Sequence, residues 1–266
     1  MSEHKILNGR VKGNVALADG IYEMVIDVKE AGAKPDAFGS FASGQFINIY
    51  LDDKSLLLPR PISISEGDAG SVTIVYKTVG QGTKYLSNYK VNQNIRLSLP
   101  LGNGYNLAED YSGKKIALVA GGIGIPPMIG LAKSLKKRNA DVDIFLGFQA
   151  QTFLTDKLEK LCNNIFIATD DGSFGFHGNS VSLLKQSDVV YDEYFSCGPK
   201  AMLKALSEYA ESVLRNVQVS IEERMGCGYG ACVGCVCNIR ENGKVARKSV
   251  CKHGPVFDGK DVVWDE

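Results

Sequence analysis

The sequence predicts a multidomain fold of β and α/β structure: an N-terminal antiparallel β-barrel, a parallel α/β domain and a small cysteine-rich C-terminal domain. Three observations predict it. Short alternating runs of apolar and polar residues fill the N-terminal part, the pattern changes near Lys114 to apolar strands followed by helices, and cysteines crowd together near the C-terminus. At 266 residues the chain is long enough for two domains and a small appendage.

The expected barrel spans residues 1–107. Runs at 21–28, 45–51, 71–77 and 94–99 alternate apolar and polar side chains, and Gly, Asp, Asn and Pro mark the turns between them. No full-length amphipathic helix is evident among these runs. The pattern is typical of a small antiparallel barrel.

The expected α/β domain spans residues 112–217. From Lys114 the chain runs through KKIALVA, GGIGIPP, MIGLAKSLKKR and DVDIFLGF, which indicate a strand, a glycine turn, a helix and a second strand. This order predicts a parallel sheet with crossover helices. Further elements are expected over residues 164–169 and 193–197, as strands, and over 180–185 and 199–214, as helices.

The C-terminal part, residues 218–266, carries the most specific motif. Cys227, Cys232, Cys235 and Cys251 follow the spacing C-x4-C-x2-C-x15-C, which is the ligand spacing of a plant-type 2Fe-2S cluster. Glycines alternate with the first three thiols, as expected of a loop that wraps an inorganic core and directs backbone N–H groups at sulfur. The sequence therefore predicts an electron carrier in which these four cysteines are the metal ligands.

Two alternatives concern these thiols. Structural zinc also takes four thiolates, but usually from two C-x2-C pairs, and this segment has one. Cys237 follows Cys235 by two residues, and in an extended segment both side chains share one side. The preference for Cys235 as a ligand therefore rests on the x4, x2 spacing, and Cys237 is expected to be a spare thiol.

Composition and charge limit the possible partners. Thirty basic and thirty acidic residues cancel, so no polycationic surface is expected to bind nucleic acid or anionic lipid. The N-terminus lacks the apolar core of a signal peptide, and the most apolar stretch is broken by glycines and prolines, so no membrane span is expected. Seven cysteines without a secretory signal favour a reducing, cytoplasmic compartment.

Three further motifs suit phosphate or flavin binding, each with a simpler alternative. Residues 60–65, RPISIS, place Arg60 between two prolines, and its planar guanidinium suits a diphosphate or a flavin edge. A surface arginine on an edge strand fits the pattern equally well. Residues 75–84, VYKTVGQGTK, leave a strand through two glycines, as in a phosphate-binding turn or a plain hairpin. Residues 121–127, GGIGIPP, lie between strand and helix, where dinucleotide phosphates bind, but lack the G-x-G-x-x-G spacing.

The order RPISIS, GQGT, GGIGIPP, CGP and the C-terminal cysteine set resembles the ferredoxin reductase-type flavoproteins along the whole chain. Within that superfamily, the segments SIEERMGCGYGACVGC, TDDGSFGFHG and CKHGPVFDG resemble the electron transfer subunits of NAD-dependent, class 1B dihydroorotate dehydrogenases. The resemblance covers nearly all of the chain. Tyr229, in place of a smaller aliphatic residue, and the extra Cys237 depart from it without removing a ligand.

The resemblance implies FAD and a 2Fe-2S cluster as cofactors and NAD as a substrate, with no catalytic residue in this chain. It implies FAD contacts from Arg60, Pro61, Ile62, Ser63, Val75, Tyr76, Lys77, Gly82 and Thr83. It implies NAD contacts from Gly121, Gly122, Gly124 and Pro126, with Cys197, Gly198 and Pro199 near the nicotinamide ring.

The resemblance also implies a partner and a function. Electrons would pass from the FMN of a separate dihydroorotate dehydrogenase catalytic subunit through the cluster and FAD to NAD⁺, in pyrimidine biosynthesis, and the two chains would form a dimer of heterodimers. FAD would sit between the other two carriers because a flavin exchanges both single electrons and hydride pairs. Two alternatives remain: the electron transfer subunit of another NAD(P)H-linked bifurcating or sulfur-reducing flavoprotein complex, and a non-catalytic iron–sulfur scaffold.

NAD is favoured over NADP by the residues that follow the expected strand at 143–148. Gln149, Ala150 and Gln151 offer no arginine to a 2′-phosphate. Asp170 and Asp171 would repel that phosphate if their loop faces the nucleotide. The alternative is that the two aspartates cap the following turn.

Overall fold

The structure of the chain, a computed structural model, describes residues 5–29 and 38–264. The N-terminal part is a closed six-stranded barrel with the strand order β1-β2-β5-β4-β3-β6, in which all neighbours are antiparallel and β1 closes on β6. The strands are β1 (Ile6–Ala18), β2 (Ile21–Asp27), β3 (Phe46–Tyr50), β4 (Arg60–Gly67), β5 (Ser71–Lys77) and β6 (Asn94–Ser98), with the short helix α1 (Gln81–Ser87) between β5 and β6. The predicted antiparallel barrel is confirmed.

The second part is a seven-stranded sheet with the order β10-β9-β8-β7-β11-β12-β15. Six of these strands are parallel, and β15 pairs antiparallel to β12 at the edge. The strands are β7 (Lys115–Gly121), β8 (Asp141–Phe148), β9 (Asn164–Thr169), β10 (Phe176–His177), β11 (Glu193–Cys197), β12 (Asn216–Ser220) and β15 (Val256–Asp258). The helices are α2 (Pro127–Lys136), α3 (Thr155–Glu159), α4 (Ser180–Lys185) and α5 (Lys200–Ser212).

Helices cover both faces of this sheet, as expected of a parallel sheet whose strands are apolar on both sides. Alternate residues of β7 show the division. Ile116 and Leu118 pack in the core that contains α2, whereas Ala117 and Val119 pack in the core that contains α4 and α5. The predicted α/β architecture is confirmed.

The C-terminal part leaves the sheet after β12 and returns to it. An irregular loop, residues 221–235, leads into the hairpin of β13 (Val236–Glu241) and β14 (Lys244–Ser249). The single-turn helix α6 (Val250–His253) follows, and then β15. The cysteine-rich segment is therefore held at both ends by strands of the seven-stranded sheet.

Hydrogen bonds join the barrel to the parallel sheet. The buried hydroxyl of Ser65, on β4, donates to the carbonyl of Pro126 at 3.0 Å. The hydroxyl of Tyr105, in the connecting segment, donates to the carbonyl of Ser196 at 2.8 Å. Among the residues that the structure describes, no helix has both the length and the apolar content needed to cross a membrane.

Candidate functional site

The four cysteines of the C-terminal motif differ in exposure. Cys235 and Cys251 are buried, Cys227 is half-buried and Cys232 is exposed. The first three lie in the loop of residues 221–235, and Cys251 lies in α6, directly after β14. The backbone N–H of Val250 donates to the carbonyl of Cys235 at 2.7 Å, which holds the fourth cysteine beside the third.

The sulfur of Cys227 is surrounded by backbone donors. It accepts N–H groups from Tyr229 at 3.5 Å, Ala231 at 3.3 Å and Cys232 at 3.4 Å. Burial raises the pKa of Cys227, but the hydrogen bonds from Tyr229 and Cys232 outweigh it and lower the pKa to about 6. The sulfur is therefore a thiolate at neutral pH, which is the form that binds iron.

The four thiols lie close enough to affect one another's pKa values. The side chain of Cys232 contributes to lowering the Cys227 pKa, so these two sulfurs are neighbours. Burial, and then the hydrogen bond and charge of Cys235, raise the pKa of Cys251 to about 12. Within residues 5–29 and 38–264, no three His, Cys, Asp or Glu side chains converge on one metal ion. Two pairs of thiols instead suit the two irons of a 2Fe-2S cluster, each held by two cysteines.

The glycines of this loop bring the backbone close to sulfur. Gly228 and Gly230 have φ angles of +79° and +88°, a conformation that other residues rarely adopt. A Cβ atom on Gly226 would lie 3.3 Å from the sulfur of Cys232, and one on Gly234 would lie 3.5 Å from it. The donor set and the tight loop therefore fit a four-thiolate cluster.

Cys237 lies in different surroundings. It belongs to β13 and lines a cavity of about 150 Å³ together with Lys200, Ile221 and Trp264. Burial raises its pKa to about 11, so the thiol stays protonated at neutral pH. The cavity, and not the raised pKa, sets Cys237 apart from the four cysteines of the motif, since the pKa of Cys251 is raised as well.

Two of the flavin-type motifs meet at Arg60 and Gly82. Arg60 begins β4, and its Nη1 donates to the carbonyl of Leu58. A Cβ atom on Gly82 would lie only 1.9 Å from Nε of Arg60. The guanidinium group therefore lies against the start of α1, where Thr83 Oγ1 accepts the N–H of Val79 at 2.9 Å. This junction offers an arginine fork and a helix start to a diphosphate.

The other residues of these motifs divide between the two faces of the barrel. Ile62 and Tyr76 point into the barrel core, where the Tyr76 hydroxyl donates to Asn14 at 2.9 Å. Any contact of Tyr76 with a ligand would therefore come from its backbone. Pro61 and Ser63 are half-buried on the outer face, and Val75 packs towards the core of the parallel sheet.

The glycine motif after β7 and the CGP motif after β11 lie side by side, since the two strands pair in parallel with Ala120 opposite Cys197. A Cβ atom on Gly124 would lie 2.2 Å from the carbonyl oxygen of Cys197. Gly122 has a φ of +52° and faces open space among the described residues. Together these features form a glycine-lined ledge at the carboxyl ends of two neighbouring strands, the usual place of a dinucleotide in such sheets.

A cavity of about 310 Å³ adjoins this ledge. Its lining includes Gly198, Pro199, Glu222 and Arg224, so it lies between the CGP motif and the start of the cysteine loop. Burial raises the pKa of Cys197 to about 12, partly offset by a hydrogen bond with Ser220. The Cys197 thiol is therefore neutral at neutral pH.

One residue at the site was not identified from the sequence. Asn48, on β3, donates from Nδ2 to the carbonyl of Cys227 at 2.9 Å. The signal in the sequence is a single polar residue within the apolar strand FINIY. Its significance depends on a partner 179 residues away along the chain.

The barrel, the parallel sheet and the cysteine loop define a class: a ferredoxin reductase-type fold with an iron–sulfur domain. A chain from the structure of an NADH-dependent reduced ferredoxin-NADP oxidoreductase matches with a TM-score of 0.83 and 26% identity, covering 100% of this chain and 92% of that one. The ferredoxin NADP⁺ reductase of Neisseria gonorrhoeae, solved with FAD and NADP, shares the fold, with a TM-score of 0.64 and 16% identity over 79% of this chain and 92% of that one.

Sequence comparisons narrow the class to one family. A family model described as the iron-sulfur cluster binding domain of dihydroorotate dehydrogenase B matches residues 222–263. Relatives from Caldanaerobacter subterraneus, 38% identical over 97% of this chain and 98% of the relative, and Bacillus pumilus, 40% identical over 95% and 96%, are both named dihydroorotate dehydrogenase B (NAD(+)), electron transfer subunit. The chain belongs to this family of electron transfer subunits, which confirms the family expected from the motifs.

Proposed function

We propose that this chain passes electrons from the FMN of a dihydroorotate dehydrogenase catalytic subunit through a 2Fe-2S cluster and FAD to NAD⁺, in pyrimidine biosynthesis. The observation that carries the proposal is the cysteine loop: the Cys227 sulfur accepts three backbone N–H groups, and the Cys227 carbonyl accepts a hydrogen bond from Asn48 of the barrel. The names of the relatives supply the substrate, dihydroorotate, and the nucleotide, NAD⁺.

Cys227, Cys232, Cys235 and Cys251 are the proposed iron ligands, and we propose that the first two bind one iron and the last two the other. Hydrogen bonds from N–H groups to a cluster sulfur stabilise the more negative, reduced state and so tune the potential. The donors of Tyr229, Ala231 and Cys232 would do this at Cys227.

The barrel is the proposed FAD site. The Arg60 guanidinium and the start of α1 at Gly82 and Thr83 suit the negatively charged pyrophosphate. The strand ends at 60–63 and 75–77 would hold the flavin ring between the barrel and the glycine ledge. When bound, FAD supplies the exchange between hydride pairs and single electrons that neither NAD nor the cluster provides alone. The proposed contacts are Arg60, Pro61, Ile62, Ser63, Val75, Tyr76, Lys77, Gly82 and Thr83.

The glycine ledge and its cavity are the proposed NAD site. Bare backbone at residues 121–124 lets a dinucleotide approach closely, and the neutral Cys197 and the CGP turn would border the nicotinamide ring. The proposed contacts are Gly121, Gly122, Gly124, Pro126, Cys197, Gly198 and Pro199. We assign no dihydroorotate site to this chain, because that chemistry belongs to the catalytic subunit.

Three regions serve these tasks in the proposed division of the chain: residues 1–107 for FAD, 112–217 for NAD and 218–266 for the cluster. The partner is an FMN-containing catalytic subunit, and the assembly is a dimer of heterodimers. The free thiols of the cysteine loop suit a reducing compartment, and we propose the cytoplasm.

The decisive experiment is reconstitution of the anaerobically purified chain with its catalytic subunit, followed by dihydroorotate-dependent NADH formation. The catalytic subunit alone is the control and should oxidise dihydroorotate with an artificial acceptor but form no NADH. A complex that oxidises dihydroorotate yet does not reduce NAD⁺ would contradict the proposal. A complex that instead couples NADH to ferredoxin or sulfur reduction would favour the bifurcating or sulfur-reducing alternative.

A further inference from the structure

Asn48 is a fully buried polar residue in the middle of a barrel strand, with 0% of its surface exposed. Its neighbours Ile47 and Ile49 both pack in the barrel core. Because side chains alternate along a strand, the amide of Asn48 points to the outer face. In the register of β3 and β4, Asn48 lies opposite Pro61, so it shares that outer face with the proposed flavin motif.

The contacts of Asn48 connect the barrel to the cysteine loop. Its backbone N–H donates to the hydroxyl of Ser98 at 2.9 Å, which fixes the strand, and Nδ2 donates to the carbonyl of Cys227 at 2.9 Å. The carbonyl can only accept, so the orientation of the amide is determined by this bond. Oδ1 is buried without a hydrogen-bond partner in the described part of the chain.

Gly228, directly after Cys227, packs closely against the side-chain amide of Asn48. A Cβ atom on Gly228 would lie 2.4 Å from Nδ2 and 2.7 Å from Oδ1 of Asn48, and the φ of +79° already favours glycine. The loop therefore approaches the barrel as closely as a bare backbone allows. The approach leaves no room for a side chain between the cysteine motif and β3.

A buried amide with an unused acceptor costs free energy that an apolar residue of the same size would not. Stability of the barrel alone therefore does not account for asparagine at this position. Its bond to the Cys227 carbonyl fixes the backbone of the first proposed iron ligand relative to the strand pair that carries Pro61.

We propose that Asn48 is a positioning residue for electron transfer: it holds the cysteine loop at Cys227 against the outer face of the barrel and so sets the separation and orientation of the cluster and the flavin. This inference rests on the proposed function. It predicts that loss of the amide impairs transfer between the two groups while the hydride step between NADH and the flavin is unaffected.

The test uses the full chain in complex with its catalytic subunit and compares Asn48→Leu with the wild type. Leucine has a similar size but cannot bond the Cys227 carbonyl. Stopped-flow mixing with NADH separates flavin reduction from cluster reduction, and the EPR spectrum of the reduced cluster reports its surroundings. Partners that orient metal ligands typically change affinity or activity about 10- to 100-fold when they are lost. We expect cluster reduction to slow by about tenfold and the EPR spectrum to shift, with the rate of flavin reduction unchanged.

Asn164→Leu is the matched control. The Nδ2 of Asn164 donates to Asp143 at 2.9 Å between two strands of the parallel sheet, and the residue is exposed. It begins β9, whereas the proposed NAD contacts lie at the carboxyl ends of β7 and β11. The same chemical change there should leave both rates and the EPR spectrum as in the wild type. Cluster reduction at the wild-type rate and an unchanged spectrum in Asn48→Leu would overturn the inference.

A second variant covers the case in which Asn48→Leu does not fold. Gly228→Ala approaches the same contact from the loop, and its Cβ should displace the Asn48 amide and slow cluster reduction. In the double variant Asn48→Ser with Gly228→Ala, the smaller serine side chain leaves space for the alanine Cβ. Cluster reduction should therefore be faster than in Gly228→Ala alone. If the two substitutions instead slow cluster reduction additively, the contact between these residues is contradicted.

Measurements on the wild-type complex show whether the proposed function fails or only the proposed role of Asn48. If the wild-type complex lacks iron or flavin, or NADH does not reduce its cluster, the proposed function fails. If the wild type transfers electrons normally and Asn48→Leu does so equally well, only the role of Asn48 fails.

Discussion

Arg60 and Gly82 are in direct contact: the guanidinium of Arg60 occupies the space that a Cβ atom on Gly82 would fill, 1.9 Å from Nε. The two residues belong to different motifs, one at the start of β4 and the other in the first turn of α1. The contact joins an arginine fork to a helix start at one point of the barrel rim. A Cβ atom at position 82 would have to displace this guanidinium.

Substituting Gly82 by alanine should therefore displace Arg60 and weaken FAD binding. We expect the dissociation constant for FAD to rise about tenfold, which corresponds to about 1.4 kcal/mol. Gly80→Ala is the control, because Gly80 has an extended φ of −162° and a Cβ there meets no described atom within 4 Å. Quenching of FAD fluorescence on binding to the three apoproteins measures these dissociation constants. Equal affinities for Gly82→Ala and the wild type would contradict the assigned role of Arg60.

Substitution of Cys235 should remove the cluster, whereas substitution of Cys237 should leave it in place. Cys235→Ser should lose most of the iron, because it removes a ligand, whereas Cys237→Ser should retain the wild-type iron content and EPR spectrum. Cys237 instead lines a cavity with Lys200, Ile221 and Trp264. Iron analysis of anaerobically purified protein tests the pair. Iron loss from the Cys237 variant would reassign the ligand set.

The buried carboxyl of Glu193 should make the stability of the folded protein depend on pH. It is buried at the start of β11, where it accepts the Tyr111 hydroxyl and the Gln218 amide, each at 2.9 Å. Burial raises its pKa above the ordinary 4.5, although the two hydrogen bonds oppose this. The folded state therefore holds this proton more tightly than the unfolded state, and its contribution to stability falls as the pH rises above 4.5 through the raised pKa.

The variant Glu193→Gln cannot titrate, so its free energy of unfolding relative to the wild type should rise over the same pH range. Any change in hydrogen bonding adds an offset that does not depend on pH. Urea unfolding of both proteins across this range measures the difference. A difference that stays constant with pH would show that Glu193 does not titrate as described.

NADH should reduce the flavin better than NADPH. The loop of Asp170 and Asp171 lies beside the end of β8, since the N–H of Asp170 donates to Phe148 at 3.0 Å and that of Asp171 to Gln149 at 3.3 Å. The hydrogen bonds from Ser173 lower the pKa of Asp171, so the loop carries negative charge. We expect kcat/KM for NADH to exceed that for NADPH by at least about tenfold, or 1.4 kcal/mol. Equal values, or a preference for NADPH, would contradict this.

Much of the fold could be predicted from the sequence because its strands are uniformly apolar or alternate regularly. Strands β5, β9 and β11 have the predicted bounds. Strand β1 was not predicted, because Gly9 stands at an inward position of its alternation. A Cβ there would lie 2.7 Å from Ile26, so the barrel requires a glycine where the pattern needs an apolar residue.

Some residues of the candidate site could be predicted from the sequence and others could not. The cysteines could be predicted because a cluster dictates the ligand type and the local spacing. Asn48 could not, since nothing near it in sequence indicates its bond to Cys227. The contact between Arg60 and Gly82 was likewise visible only once the strand and the helix were placed together.

The central claim is that one chain holds both a 2Fe-2S cluster and a flavin and exchanges hydride pairs for single electrons. The most direct test is the spectrum of the anaerobically purified chain, with EPR before and after addition of NADH. We predict overlapping flavin and cluster absorption that NADH bleaches, together with the EPR signal of a reduced 2Fe-2S cluster. A colourless protein without iron or FAD, or a cluster that NADH leaves oxidised, would contradict the account.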